Sequence, residues 1–306
     1  MSRGAREGER LSDFHYGGQA VLEGVMMRGE RYMAVAVRDP DDEIVVLQEE
    51  LSPIYASSWA KFPFVRGLIM LWDTLNLGYR ALTFSANVAM PEEEEELGSG
   101  AMVGSVLLSL AFVVVVFFLL PAFLVGLVDD YLSPVATSLL EGAIRIGLFV
   151  LYLAAISYLP DIRRVFAYHG AEHKTVNAYE AGVPLEPEQV QAFSSAHTRC
   201  GTSFLLVILV LYVLITVLMG RPGIWVRLLS RLVLIPIVAG VSYELLKLSA
   251  RYNDHPVVRF LMAPGLALQR LSTREPDDSM VEVAIVALKR VLRMDGQPAD
   301  KQAEAG

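Results

Sequence analysis

Long apolar runs separated by short polar segments dominate the middle of the chain. Ala101 to Val128 carries no charged residue at all and is long enough to cross a bilayer. Leu139 to Leu159 predicts a second span, with Arg145 near one end where its head can snorkel to the interface. Ser203 to Met219 predicts a third. Leu228 to Leu246 predicts a weaker fourth, because it carries Arg231, Pro236 and Glu244. Charges inside a bilayer are costly, so interfacial placement is expected for Arg231 and Glu244.

The flanking regions follow other periods. Residues 1–14 read as a mobile polar tail. From Tyr16 to Gly29, glycines bracket an apolar core, a pattern suited to tight turns around a packed segment. Glu23 and Arg28 within it are expected to form a structural ion pair. Met33 to Arg38 and Ile44 to Glu49 are rich in β-formers and joined by Asp39-Pro40-Asp41-Asp42-Glu43, which predicts a hairpin. Phe64 to Met90 reads as a helix whose Arg66, Asp73 and Arg80 recur every seven residues. Its uninterrupted apolar stretches are too short to span, so it is expected at the interface or against the bundle. Pro91 ends it, and Glu92 to Glu96 form a solvated acidic run. Near the other end, Val257 to Leu271 is apolar around Pro264-Gly265 and is expected along the membrane surface. Val281 to Leu292 predicts an amphipathic helix ending in Lys289, Arg290 and Arg293, with Asp277 and Asp278 capping its start.

These readings give a mainly α-helical, polytopic membrane protein of about four transmembrane helices, with a small cytoplasmic α+β portion. The organisation expected is a tail over 1–14 and an N-terminal cytoplasmic segment over 15–100. Helices 1 and 2 fall within 101–160, a polar loop within 161–202, and helices 3 and 4 within 203–246. C-terminal cytoplasmic or interfacial helices cover 247–293, and a polar tail covers 294–306. The link from Asp129 to Ser138 has no Lys or Arg, whereas 161–202 holds Arg163, Arg164, Lys174 and Arg199. By the positive-inside rule both termini and that loop belong in the cytoplasm.

Composition agrees. Of 306 residues 54% are hydrophobic, the formal charge is -8 and the mean hydropathy is +0.43. The single cysteine excludes an internal disulfide. The acidic balance and the lack of a dense basic patch argue against a nucleic-acid partner. The first residues lack the apolar core of a signal peptide.

The candidate chemistry sits in the polar loop. Three of the five histidines and the only cysteine lie between Tyr168 and Gly201. His169 and His173, four apart, project about 40° from one another around a helix, with Glu172 on the same face. Two imidazoles at this spacing can reach one ion, and Glu172 can take a proton from water bound there. His-x-x-Glu-His is the inverted form of a zinc-protease signature. His197 and Cys200 can add a nitrogen and a thiolate, a donor set that favours zinc over magnesium or calcium. A salt-bridged helix beside a membrane explains the same residues without a metal. Asp277, Asp278 and Glu282 can approach the site, although capping alone accounts for the two aspartates.

Four segments together resemble one family. They are Gly17 to Gly29 (GGQAVLEGVMMRG), Tyr168 to Thr175 (YHGAEHKT), His197 to Gly201 (HTRCG) and Thr273 to Asp277 (TREPD). They are similar to the YqhQ family of bacterial membrane proteins, the domain of unknown function 1385, from about Tyr16 to about Leu292. The resemblance implies a multi-span membrane protein, sometimes described as a metal-dependent enzyme, with no established substrate.

Three functions follow. In the first, His169, His173 and either His197 or Cys200 hold zinc, Glu172 is the general base, and an amide or ester is hydrolysed at the membrane surface. In the second, all four His and Cys residues close a structural site. In the third, there is no metal and the protein is a scaffold or accessory factor for assembly, transport or quality control of other membrane proteins. Expected partners are the lipid bilayer and, for the scaffold, other membrane proteins. A transport pathway would require a homo-oligomer, since four spans with few buried polar groups offer little room.

Overall fold

A computed structural model describes residues 16–52, 62, 65–90, 99–220, 224–252 and 255–297. Both polar tails, apart from residues 294–297, and the acidic run Glu92–Glu96 lie outside the described residues, as does the side chain of Arg231.

The N-terminal segment forms an antiparallel meander of four strands in chain order, β1 Gly17–Val21, β2 Gly24–Arg28, β3 Tyr32–Arg38 and β4 Ile44–Glu50. The predicted hairpin is β3–β4, in register from Tyr32↔Glu50 to Arg38↔Ile44. The glycine-bracketed segment is a second hairpin, turning at Leu22-Glu23 with Glu23 at φ 49. Its strands escape period-two reading because the sheet is buried on both faces. Val25, Met27, Ala34 and Ala36 face one core, and Val21, Met26, Met33, Val35 and Val37 face another.

Helix α1, Val65–Ala89, covers the second face through Leu77 and Ala81. The first face is covered by α5, Pro160–Glu180, and α10, Asp278–Met294. Asp277 caps α10 by accepting from Met280 N at 3.0 Å. That bond helps hold the Asp277 carboxyl below its usual range, against the upward push of partial burial.

The bundle begins with α2, Ser99–Val114, which continues through a π-helical turn, Val115–Leu119, into α3, Leu120–Gly126. Helix α4, Pro134–Ile156, starts on a Ser133 cap and Pro134. The short α6 is Pro187–Val190. It is followed by α7, Gly201–Met219, α8, Ile224–Arg251, and α9, Pro256–Ser272. Among the described residues three helical stretches are long and apolar enough to cross a membrane, Leu107–Gly126, Pro134–Ile156 and Gly201–Met219. Exposed Tyr131 and Tyr158 flank the two ends of α4, as an aromatic belt would.

Two sequence expectations are corrected. Arg145 does not snorkel: α4 starts five residues before the predicted span, which moves Arg145 to its midpoint, and the side chain is only 2% exposed. It pairs with Glu141 at 2.6 Å and donates to the carbonyl of Phe117, inside the π turn, at 2.8 Å. Glu23 and Arg28 do not pair with each other. The turn conformation carries Glu23 to Arg164 and Tyr168 on α5, while Arg28 lies 3.7 Å from Asp73 on α1. Burial pushes the Asp73 carboxyl above its usual range despite Arg28.

Candidate metal centre

The centre is built on α5. Helical spacing stacks His169 and His173 on one face, their ring centroids 4.3 Å apart. Each ring is fixed by a backbone carbonyl. His169 Nδ1 lies 2.7 Å from Ser272 O, at the end of α9, and His173 Nδ1 lies 2.7 Å from Ser195 O. A carbonyl can only accept, so each Nδ1 carries a proton and Nε2 is the ring atom turned toward the site.

The loop between α5 and α7 folds back to complete the set. Lys174 Nζ donates to Gln191 O at 2.8 Å, and Asn177 Nδ2 donates to Ser194 O at 2.8 Å and Ala196 O at 3.1 Å. Gln269, wholly buried on α9, grips the returning strand from the other side. Its Oε1 accepts from His197 N at 2.9 Å, and its Nε2 donates to His197 O at 2.8 Å and Ser203 Oγ at 2.9 Å. Cys200 is thereby held at the start of α7, its Sγ 3.4 Å from His169 Nε2 and accepting from Thr202 N. Ligand atoms of His169, His173 and Cys200 all lie within 4.8 Å of one another. Two imidazoles and a thiol form a donor set suited to zinc.

Glu172, 5% exposed, faces the same point. Its Oε2 is 3.9 Å from Nε2 of both histidines, and its Oε1 accepts from Gly18 N at 3.0 Å. The strand β1 thus aims the carboxylate. Gly18 lies so close to the Met26 carbonyl that a Cβ there would collide with it, and it would also crowd Met27 Sδ and Glu172 Cγ.

His197 is turned elsewhere. Its ring stands 5.6 Å from that of His173, but its Nε2 faces Glu180 at 3.6 Å, and Arg199 pairs with the same carboxylate. Burial alone would raise the Glu180 carboxyl; hydrogen bonding to His197 and the Arg199 charge outweigh it and hold it down to about 2. Asp277, Asp278 and Glu282 also stay away: Asp277 caps α10, Asp278 accepts from Gln191, and Glu282 pairs with Arg38. Glu180, Gln269, Gly18 and the carbonyls of Ser195 and Ser272 are site components that sequence reasoning missed. Only the glycine pair Gly17-Gly18 signalled any of them.

The centre opens into a cavity of about 380 Å³ running between α5, β1, α1 and the first turn of α7. Met26, Met70, Leu71, Leu77 and Phe204 give it apolar walls.

Comparison with known proteins adds a lineage. A family model described as "Protein of unknown function (DUF1385)" matches residues 62–294. The chain is 35% identical over 306 residues to the "Uncharacterized protein YqhQ" of Bacillus subtilis (strain 168), covering 94% of this chain and 95% of that protein. No solved structure matches the chain.

Proposed function

We propose, for a chain that belongs to the DUF1385 family of unknown function, a zinc-dependent hydrolase acting on amides or esters at the cytoplasmic face of the bacterial inner membrane. One observation carries the reading. Both imidazoles are locked by backbone carbonyls so that their Nε2 atoms face one point shared with Cys200 Sγ and Glu172. Locked tautomers of this kind are the usual outer shell of metal-binding histidines.

His169, His173 and Cys200 would hold the ion, which when bound supplies a water of lowered pKa. Glu172, aimed by the Gly18 N–H, accepts the water proton and returns it to the leaving nitrogen or oxygen. His197 and Glu180 stiffen the wall of the site.

Parity supports four crossings and a site on one membrane face. The sheet and α1 precede the spans, α5 separates α4 from α7, and α10 follows α9, yet sheet, α5 and α10 share one core. An even number of crossings between α5 and α10 would keep that core on one face, and a crossing by α8 along with α7 would supply it. Its Glu244 is neutralised by Arg66 of α1. The lack of Lys and Arg in the α3–α4 link supports a cytoplasmic placement of the shared core.

The test is metal content of detergent-purified protein, prepared without chelator, by plasma mass spectrometry. About one zinc per chain is expected, lost in His169→Ala/His173→Ala and kept in Glu172→Gln, which should lose hydrolysis by about a hundredfold or more. A folded, metal-free wild type would overturn the reading in favour of the scaffold.

A further inference from the structure

We propose, resting on the hydrolase reading, that the cavity receives a single acyl chain of a membrane lipid. The ester or amide bond next to the headgroup would then lie against Glu172. Position is the first argument. Cys200 caps α7, one of the apolar helices, and Phe204 in the first turn of α7 lines the cavity. The reacting centre thus stands beside the first turn of an apolar helix. The second is the α1 wall. Met70, Leu71 and Thr74 turn into the cavity while Leu68, Trp72 and Leu75 of the same helix face outward and are exposed. One helix separates the cleft from a surface suited to lipid.

Size and lining narrow the occupant. A cavity of about 380 Å³ stands at the low end for ligand sites, roughly 300–1,000 Å³, and is too small for a peptide helix, about 10 Å across. Met26 and Met70 give walls that adapt to a flexible chain. An extended peptide would look for main-chain partners on an edge strand. Strand β1 is such an edge, but α5 packs along it and the outward Gly18 N–H is already given to Glu172. The apolar chain therefore fits better than a polypeptide.

The reaction balances as simple hydrolysis. The water oxygen bonds to the acyl carbon and the bond from that carbon to the headgroup oxygen or nitrogen breaks. One water proton passes through Glu172 to the leaving atom, and the other stays on the fatty acid.

The full chain, zinc-loaded, would be placed in vesicles of phosphatidylethanolamine and phosphatidylglycerol. The probe is palmitoyl-lysophosphatidylglycerol with a diazirine in its acyl chain, and labelled residues are mapped by peptide mass spectrometry. Labelling is expected at Met70, Leu71 or Phe204. It should persist in Glu172→Gln and fall at least tenfold in Leu71→Trp, with zinc content unchanged. Thr74→Trp, at an exposed position of α1, provides the same block where Leu71→Trp fails to fold. Labelling confined to outward residues of the spans, or unchanged in both Trp variants, overturns the proposal. Cleft labelling without fatty acid release supports the occupant and overturns the hydrolase reading. Peptide hydrolysis without cleft labelling overturns the occupant and leaves that reading standing.

Discussion

Removing the guanidinium of Arg145 should be the most damaging single change in the bundle. Arg145 stands at the midpoint of Pro134–Ile156 and ties three helical stretches together. It pairs with Glu141 on its own helix, takes the Phe117 carbonyl of the π turn, and lies over the Tyr212 ring of α7 at 4.8 Å and the Phe118 ring at 5.4 Å. Breaking one partner of a buried pair costs about 3–5 kcal/mol, because a buried charge loses its hydrogen-bonded counter-ion. The cation–π contacts add about 0.5–1 kcal/mol each. Arg145→Met should therefore lower stability by about 4–7 kcal/mol, a fall in Tm on the order of 10 °C for the full chain in detergent. Glu141→Leu alone should cost a comparable amount. The double variant removes both charges and should recover most of the loss, leaving chiefly the orphaned Phe117 carbonyl at about 1–3 kcal/mol. Thermal unfolding of the four proteins measures the coupling. A loss of only about 0.6 kcal/mol in Arg145→Met, typical of one hydrogen bond between membrane helices, would refute the argument. So would a double variant as unstable as the sum of the singles.

Two further predictions test the site. Gly18→Ala puts a methyl group against the Met26 carbonyl and Glu172 Cγ without touching His169, His173 or Cys200. If the proposed hydrolase reading holds, zinc content should be unchanged and turnover should drop at least about tenfold, the scale of a displaced general base; unchanged turnover would show that Gly18 does not aim Glu172. Glu180 titrates near 2 when folded against 4.5 ordinarily, so its stabilisation is present above about 4.5 and is lost as pH falls toward 2. The full shift corresponds to about 3 kcal/mol, and screening of a carboxylate one-third exposed reduces this to about 1 kcal/mol. Glu180→Gln should thus lower Tm at pH 6 and converge on wild type near pH 2–3, and a constant offset across that range would contradict the assignment.

The three long apolar helices were legible because an apolar run of about 20 residues with almost no charge marks a helix suited to a bilayer. Placing Arg145 failed on a boundary, although Ser133-Pro134 is a readable helix start that would have centred it. The β1–β2 hairpin was hidden by its own packing. With both faces of the sheet covered, Val25-Met26-Met27 shows no alternation, and the turn uses a non-glycine residue at positive φ. At the site, the four-residue spacing of His169 and His173 is local and was readable. The return of Cys200 depends on Asn177, Lys174 and Gln269 gripping main-chain atoms. Backbone acceptors such as Ser195 O and Ser272 O leave no mark in side-chain identity, so no reading of residue types could have found them.

The seven-residue repeat of Arg66, Asp73 and Arg80 makes physical sense only in the assembled fold. Each of the three meets a different element: Arg66 reaches Glu244 of α8, Asp73 faces Arg28 of β2, and Arg80 reaches Glu49 of β4. Seven residues are close to two helical turns, so the stripe stays on one side of α1 while advancing about 10 Å per step, from bundle to sheet. The opposite side carries Leu68, Trp72, Leu75, Tyr79 and Leu82, all exposed. A helix in water would reverse this arrangement, burying the leucines and wetting the charges. With lipid outside, the inversion is favourable: the apolar stripe loses nothing, and each charge finds an opposite partner away from hydrocarbon. Helix α1 then acts as the strut that fixes the sheet to α8. Because Met70, Leu71 and Thr74 lie on the same helix, the strut sets the width of the cleft in front of Glu172.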